Sequence, residues 1–284
     1  VSLQENNALA EIDLHQGSIT RILPLGVKNH SIKGQGLDPN DKDGFNIITP
    51  PIFGMYMPDA IATINVKGRD YILTANEGDA RDEEIKAKEA RFDPNALSKN
   101  DIKSLGKLRI SSTDGDIDHD GDIDKPHSYG ARSFSIFSSD GKLVFDSGDD
   151  FERISAQHHG PFFNSDNDKA NSGDSRSDNK GPEPEGITTG VINGHMYAFI
   201  TLERIGGIMI YDVTNPEKPS FQSYYNGRIF NRKFDYDNPE DIKKARFLGP
   251  EGIYFIPGDK SPTSRPLLLV ANEVSGNVEI LNIN

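Results

Sequence analysis

The stretch "TLERIGGIMIYDV" (201–213) decides the fold, because the chain writes it more than once. "SLQENNALAEIDL" (2–14) and "VANEVSGNVEILNI" (270–283) carry the same pattern: an apolar run closed by a Glu, a short turn of Asn, Ser or Gly, and an alternating apolar stretch. "LTANEGD" (73–79) repeats its first half. A second signature precedes three of these copies: "PDAIATINV" (58–66), "PEGITTGVI" (184–192) and "PEGIYFIP" (250–257). Self-similarity of this kind marks a repeat architecture.

Short runs rich in β-branched and aromatic residues, bounded by turn residues, read as strands. The unit from 185 to 225 is complete: strands at 185–192, 196–202, 207–212 and 220–225, the first two joined by Asn193–Gly194, a strong hairpin signal. The unit before it has strands at 59–66, 71–75, 131–137 and 142–147. The last has 251–256, 266–271 and 277–283, and the first opens inside its second strand, followed by 8–14 and 19–23. Four-stranded antiparallel units repeated along a chain are the blades of a β-propeller. The expectation is an all-β chain of about four blades (about 1–25, 58–147, 184–226 and 250–284), the C-terminal part of a larger propeller, with an insertion at 76–130.

Antiparallel pairing sets the start of each first strand beside the end of each second strand. Asp59, Glu185 and Glu251 therefore open the innermost strands at the mouth of a central channel. Glu5, Glu77, Glu203 and Glu273 close the second strands on the same face. The long connections fall on this face too, and long irregular loops in compact domains are usually functional. The repeated glutamates read as clamps for loop backbone, or as cation ligands. Arg81, Arg132 and Arg204 lie near them, either as an anion-binding set or, the preferred reading, as their ion-pair partners.

The insertion holds "DGDIDHDGDID" (114–124), six aspartates in eleven residues. From Asp116 the spacing is D-x-D-x-D-G-D-x-D, with Gly121 where a metal-wrapping loop turns sharply. Calcium takes about six to eight oxygens, and loops of this kind supply them at alternate positions. The expected ligands are the side chains of Asp116, Asp118, Asp120 and Asp124 and the backbone carbonyl of Asp122, with Ca2+ as the cofactor and His119 pointing outward. His127 stands where an EF-hand has its Glu, so no helix–loop–helix is expected. "RDEEIKAKEARF" (81–92) reads as a solvated helix, and "NSDNDKANSGDSRSDNKG" (164–181) as a solvated loop.

Composition narrows the function classes. A net charge of −13 over 284 residues argues against nucleic acid, whose affinity depends on cationic contacts. No apolar run approaches the length of a membrane span. Cysteine is absent, so disulfides and thiolate metal sites are excluded. No catalytic motif of the serine-hydrolase, zinc-protease or P-loop kind occurs, and the catalytic residues are unknown.

The stretches "ITPPIFGMYMPDAIA", "LTANEGDARD", "GARSFSIFSSDGKLVFDSGDDFE", "RSDNKGPEPEGI", "YAFITLERIGGIMIYDVTNP" and "PLLLVANEVSGNVEI" resemble the choice-of-anchor I domain. That family includes bacterial proteins labelled atypical alkaline phosphatases and cell-surface glycoproteins linked with biomineralisation. The resemblance implies an extracellular, cell-surface or periplasmic propeller, longer than this chain. Two functions follow. One is a calcium-stabilised module binding divalent cations, glycans or surface proteins; the other is a metal-dependent phosphomonoesterase acting on phosphoesters at the channel mouth.

Overall fold

A computed structural model describes residues 1–283. The repeated units form four antiparallel sheets of fourteen strands in all, and within each sheet the strands neighbour one another in chain order. The first contains Ser2–Leu3, Ala8–Asp13 and Ser18–Pro24. The second contains Ile61–Val66, Arg69–Asn76, Ser133–Ser138 and Leu143–Asp146. Pro184–Ile192, His195–Leu202, Ile208–Asp212 and Ser220–Tyr225 make the third. The fourth has Pro250–Ile256, Leu267–Asn272 and Asn277–Asn282.

Each consecutive pair of these sheets closes over its own apolar layer. Leu9 and Leu23 of the first meet Phe137 and Ile72 of the second. Phe134, Ile136 and Leu73 of the second meet Ile187, Ile200, Met209 and Tyr211 of the third, with the Phe134 and Tyr211 rings 4.7 Å apart. Phe199 of the third stacks on Phe255 of the fourth at 5.8 Å, beside Leu268 and Val270. The opening strands of the second, third and fourth sheets run side by side. Their approach depends on missing side chains: a Cβ at Gly186 would lie 2.0 Å from the Glu251 carbonyl, and one at Gly190 would enter the Phe255 ring. The outward faces of the two end sheets carry exposed apolar residues, Leu14, Ile19 and Ile22 on the first and Tyr254, Val278 and Ile280 on the fourth.

Sequence pattern missed one sheet. The insertion and the segment before the second sheet fold together: Val27–Asn29, Phe53–Met55, His127–Tyr129, Arg109–Ser111 and Glu84–Lys86 form a five-stranded sheet in that order, with Phe53–Met55 parallel to His127–Tyr129. It has its own core of Leu37, Ile52, Leu105, Leu108, Ile110 and Ile123. The helix expected over 81–92 is absent. Glu84–Lys86 is a strand instead, held by Arg109–Ser111 and by the Arg109 Nη1–Glu84 Oε1 bond of 2.7 Å, and a 3-10 turn at Ala87–Glu89 buries Ala87. Helical propensity is a weak prior that pairing with a neighbouring strand overrides.

Candidate metal centre

The repeated acids lie where strand parity puts them. Pro184 pairs with Leu202 and Pro250 with Asn272, so Glu185 stands beside Glu203 and Glu251 beside Glu273. Asp59 N–H donates to the Ala75 carbonyl, next to Glu77. The ladder slips between Pro184 and Ile187 and again between Pro250 and Gly252, so both glutamates sit in β-bulges. Bulges re-aim side chains at sheet edges and near functional sites. Ahead of the first bulge Glu183 holds φ at 53°, an uncommon value for a residue with a Cβ and a form of strain that clusters at functional sites.

These acids crowd one another. Carboxylate oxygens of Asp59, Glu77 and Glu185 lie within 4.8 Å of each other, as do those of Glu77, Glu183 and Glu203. Burial, then the charges of Glu77, Asp59, Glu203 and Glu251, push the Glu185 carboxyl up to about 10. Burial and Glu183 push Glu203 to about 8. Asp59, Glu77 and Glu251 are raised too, in each case chiefly by burial. Glu185 Oε2 is enclosed and has no hydrogen-bond partner.

One glutamate escapes the crowding. Burial alone would raise Glu183, but Lys180, Arg176 and Arg204 override it and hold the carboxyl at about 2. Arg176 Nη2 reaches Glu183 Oε1 at 2.5 Å. Lys180 Nζ and Arg204 Nε approach Oε2 at 2.8 and 3.1 Å, as charge contacts without hydrogen-bond alignment. Lys180 also donates to Glu77 at 2.6 Å, and Arg204 to Asn167 at 2.6 Å. Glu183, Lys180, Arg176 and Asn167 were not singled out in the sequence, because 164–181 reads as solvated. Asn164, Asn167, Ser177 and Lys180 are in fact buried, and the segment packs across the acid face. The signal was in "RSDNKGPEPEG", whose cations flank a second glutamate two residues before Glu185.

The structure brings together Asp59, Glu77, Glu185, Glu203, Glu251 and Glu273. Glu5 is exposed on a 3-10 turn, and its neighbour Gln4 reaches the cluster by donating to Glu77 at 2.6 Å. Each candidate arginine has acceptors. Arg81 pairs with Asp114. Arg132 is buried and donates to Glu152 at 2.6 Å and to the carbonyls of Asp38, Ser177 and Asn179. Arg204 faces Glu183 and Glu203.

In the aspartate loop, oxygens of Asp116, Asp118 and Asp124 converge within 4.8 Å. Gly121 takes φ of 92° and its N–H donates to Asp116 at 3.1 Å; Ile117 N–H donates to Asp124 at 2.7 Å. Asp116 Oδ1 is enclosed without a partner. Asp120 stands outside this triad, accepting the Asp122 N–H at 3.1 Å, and His119 is exposed. Asp122 turns its side chain inward, where burial and then Asp120 raise its carboxyl.

A family model described as the choice-of-anchor I domain matches residues 1–216. Gigasin-3a of Magallana gigas is 32% identical over 190 residues, covering 63% of this chain and 64% of that protein. The match thus spans less than two thirds of the relative's length. No helix among the described residues is long and apolar enough to cross a membrane.

Proposed function

The chain belongs to the choice-of-anchor I domain family, and on that premise we propose that it is a calcium-binding β-propeller segment of a secreted or surface-held protein, acting as a binding module. The propeller reading rests on consecutive antiparallel sheets that pack face to face in chain order, with their opening strands adjacent. One observation carries the cation reading. Glu185 Oε2 is enclosed and unpartnered among the oxygens of Asp59 and Glu77. Like charges this close cannot all ionise unless a cation joins them. Calcium prefers such carboxylate oxygens, and the loop triad of Asp116, Asp118 and Asp124 offers a second place of the same chemistry.

A phosphoesterase at the same mouth needs, besides a metal ion, cationic side chains free to take a phosphate. Here Lys180, Arg176 and Arg204 are engaged by Glu183, Glu77 and Glu203. That engagement favours the binding module over the enzyme. Calorimetric titration with calcium and with magnesium, alongside turnover of p-nitrophenyl phosphate in calcium, tests both readings. Calcium binding without turnover is expected. Absence of calcium binding overturns the cation reading, and turnover abolished by Glu185→Gln overturns the choice of module over enzyme.

A further inference from the structure

The buried aspartate of the loop, Asp122, stands outside the triad described above. Asp122 is 7% exposed, its Oδ2 lies 3.4 Å from Arg91 Nη2, and its Oδ1 is enclosed with no hydrogen-bond partner. An enclosed acceptor left unpaired is costly and calls for an explanation such as an ion. Oxygens of Asp93, Asp122 and Asp124 meet within 4.8 Å of one another, and Asp93 comes from a different segment of the insertion. The backbone makes that meeting rigid. Phe92 and Ile123 form a parallel bridge, in which Ile123 N–H donates to the Arg91 carbonyl at 3.0 Å and Asp93 N–H to the Ile123 carbonyl at 3.1 Å. Beneath it Ile123 and Phe92 join the core of the inserted sheet.

We propose that the insertion holds a second divalent cation at Asp93, Asp122 and Asp124, beside the one at Asp116, Asp118 and Asp124, with Asp124 as the carboxylate common to both. The proposal rests on the cation reading above and adds a site that the loop spacing does not contain. Charge supports it: two divalent cations and Arg91 together match the five carboxylates of the two triads, whereas a single ion leaves two negative charges uncompensated on one short segment. The second ion ties the 91–96 segment to the aspartate loop, so the loop is fixed at both ends. Oxygen-only ligands and a shared carboxylate select calcium over softer metals.

Equilibrium dialysis against radioactive calcium counts the ions on the whole chain and on four variants. Asp93→Asn keeps an acceptor for the Asn95 N–H, which Asp93 Oδ1 now receives at 2.7 Å, and is expected to lose one calcium per chain. Asp122→Asn is expected to lose the same one, which guards against a folding defect peculiar to position 93. Asp118→Asn loses the other, and Asp124→Asn loses both. Full occupancy in Asp93→Asn and Asp122→Asn, or an Asp124→Asn variant that loses no more ions than Asp118→Asn, overturns the second site. An unchanged count in Asp118→Asn strikes the loop site of the preceding section and leaves this one standing.

Discussion

Replacing Glu185 by Gln is expected to stabilise the calcium-free protein and to weaken its response to calcium. The Glu185 carboxyl moves from 4.5 to about 10 on folding. A carboxyl with a raised folded pKa contributes its full stability below the unfolded value, and that stability is lost as pH rises toward the folded value, because only the unfolded chain can ionise it. At pH 7.5 the gap corresponds to about 4 kcal/mol, and the partial exposure of the side chain reduces it to about 2–4 kcal/mol. Gln resembles the protonated acid in shape and does not ionise in the unfolded chain, so the variant escapes the loss. For a chain of this size about 1 kcal/mol moves the melting temperature by roughly 2–4 °C, which makes the expected gain about 5 °C or more. The assay is thermal unfolding in a chelator at several pH values between 4.5 and 8. Wild type and variant should coincide at the acid end and separate steadily above it. In calcium the order reverses in sense: a ligand at a hundred times its dissociation constant adds about 2.7 kcal/mol to the wild type, and the variant forgoes that share. A wild-type-to-variant gap that does not change with pH in chelator, or equal calcium increments in the two proteins, would refute the charge-crowding argument.

Two further perturbations probe the scaffold that aims these acids. Arg132→Met leaves Glu152 charged and buried without its guanidinium and strands the Asp38, Ser177 and Asn179 carbonyls; chemical denaturation should register a loss of about 3–5 kcal/mol, and a loss below 1 kcal/mol would show that the network is dispensable. Gly78→Ala sets a Cβ 2.0 Å from the Gly130 nitrogen at a φ of +81°, so the Glu77 turn must shift. The expected outcome is a stability loss of at least about 1–3 kcal/mol together with weaker calcium binding in calorimetry, and unchanged values for both would contradict the tight approach of these two turns.

Strand positions were legible because the strands of each repeated unit pair with their neighbours in chain order. Their information is local: alternating apolar residues, Asn193–Gly194 or Asp140–Gly141 between them, and a Glu at a fixed place in the repeat. Parity then followed from antiparallel pairing alone, and it placed Asp59, Glu185 and Glu251 beside the second-strand glutamates without any knowledge of distance. The loop spacing foretold the meeting of Asp116, Asp118 and Asp124 for the same reason, since a nine-residue segment closes on itself. What stayed hidden depends on contacts between remote segments. The parallel pairing of Phe53–Met55 with His127–Tyr129 has no turn to announce it, so the inserted sheet was invisible, and with it the strand at Glu84–Lys86. Only packing across that sheet brings Asp93 to Asp122, and only the folding of 164–181 over the acid face sets Lys180, Arg176 and Arg204 around Glu183. Charge on a sequence does not say which carboxylate receives the cations. Burial and distance decide that, which is why Glu183 is ionised down to about 2 while Glu185, two residues away, holds its proton to about 10.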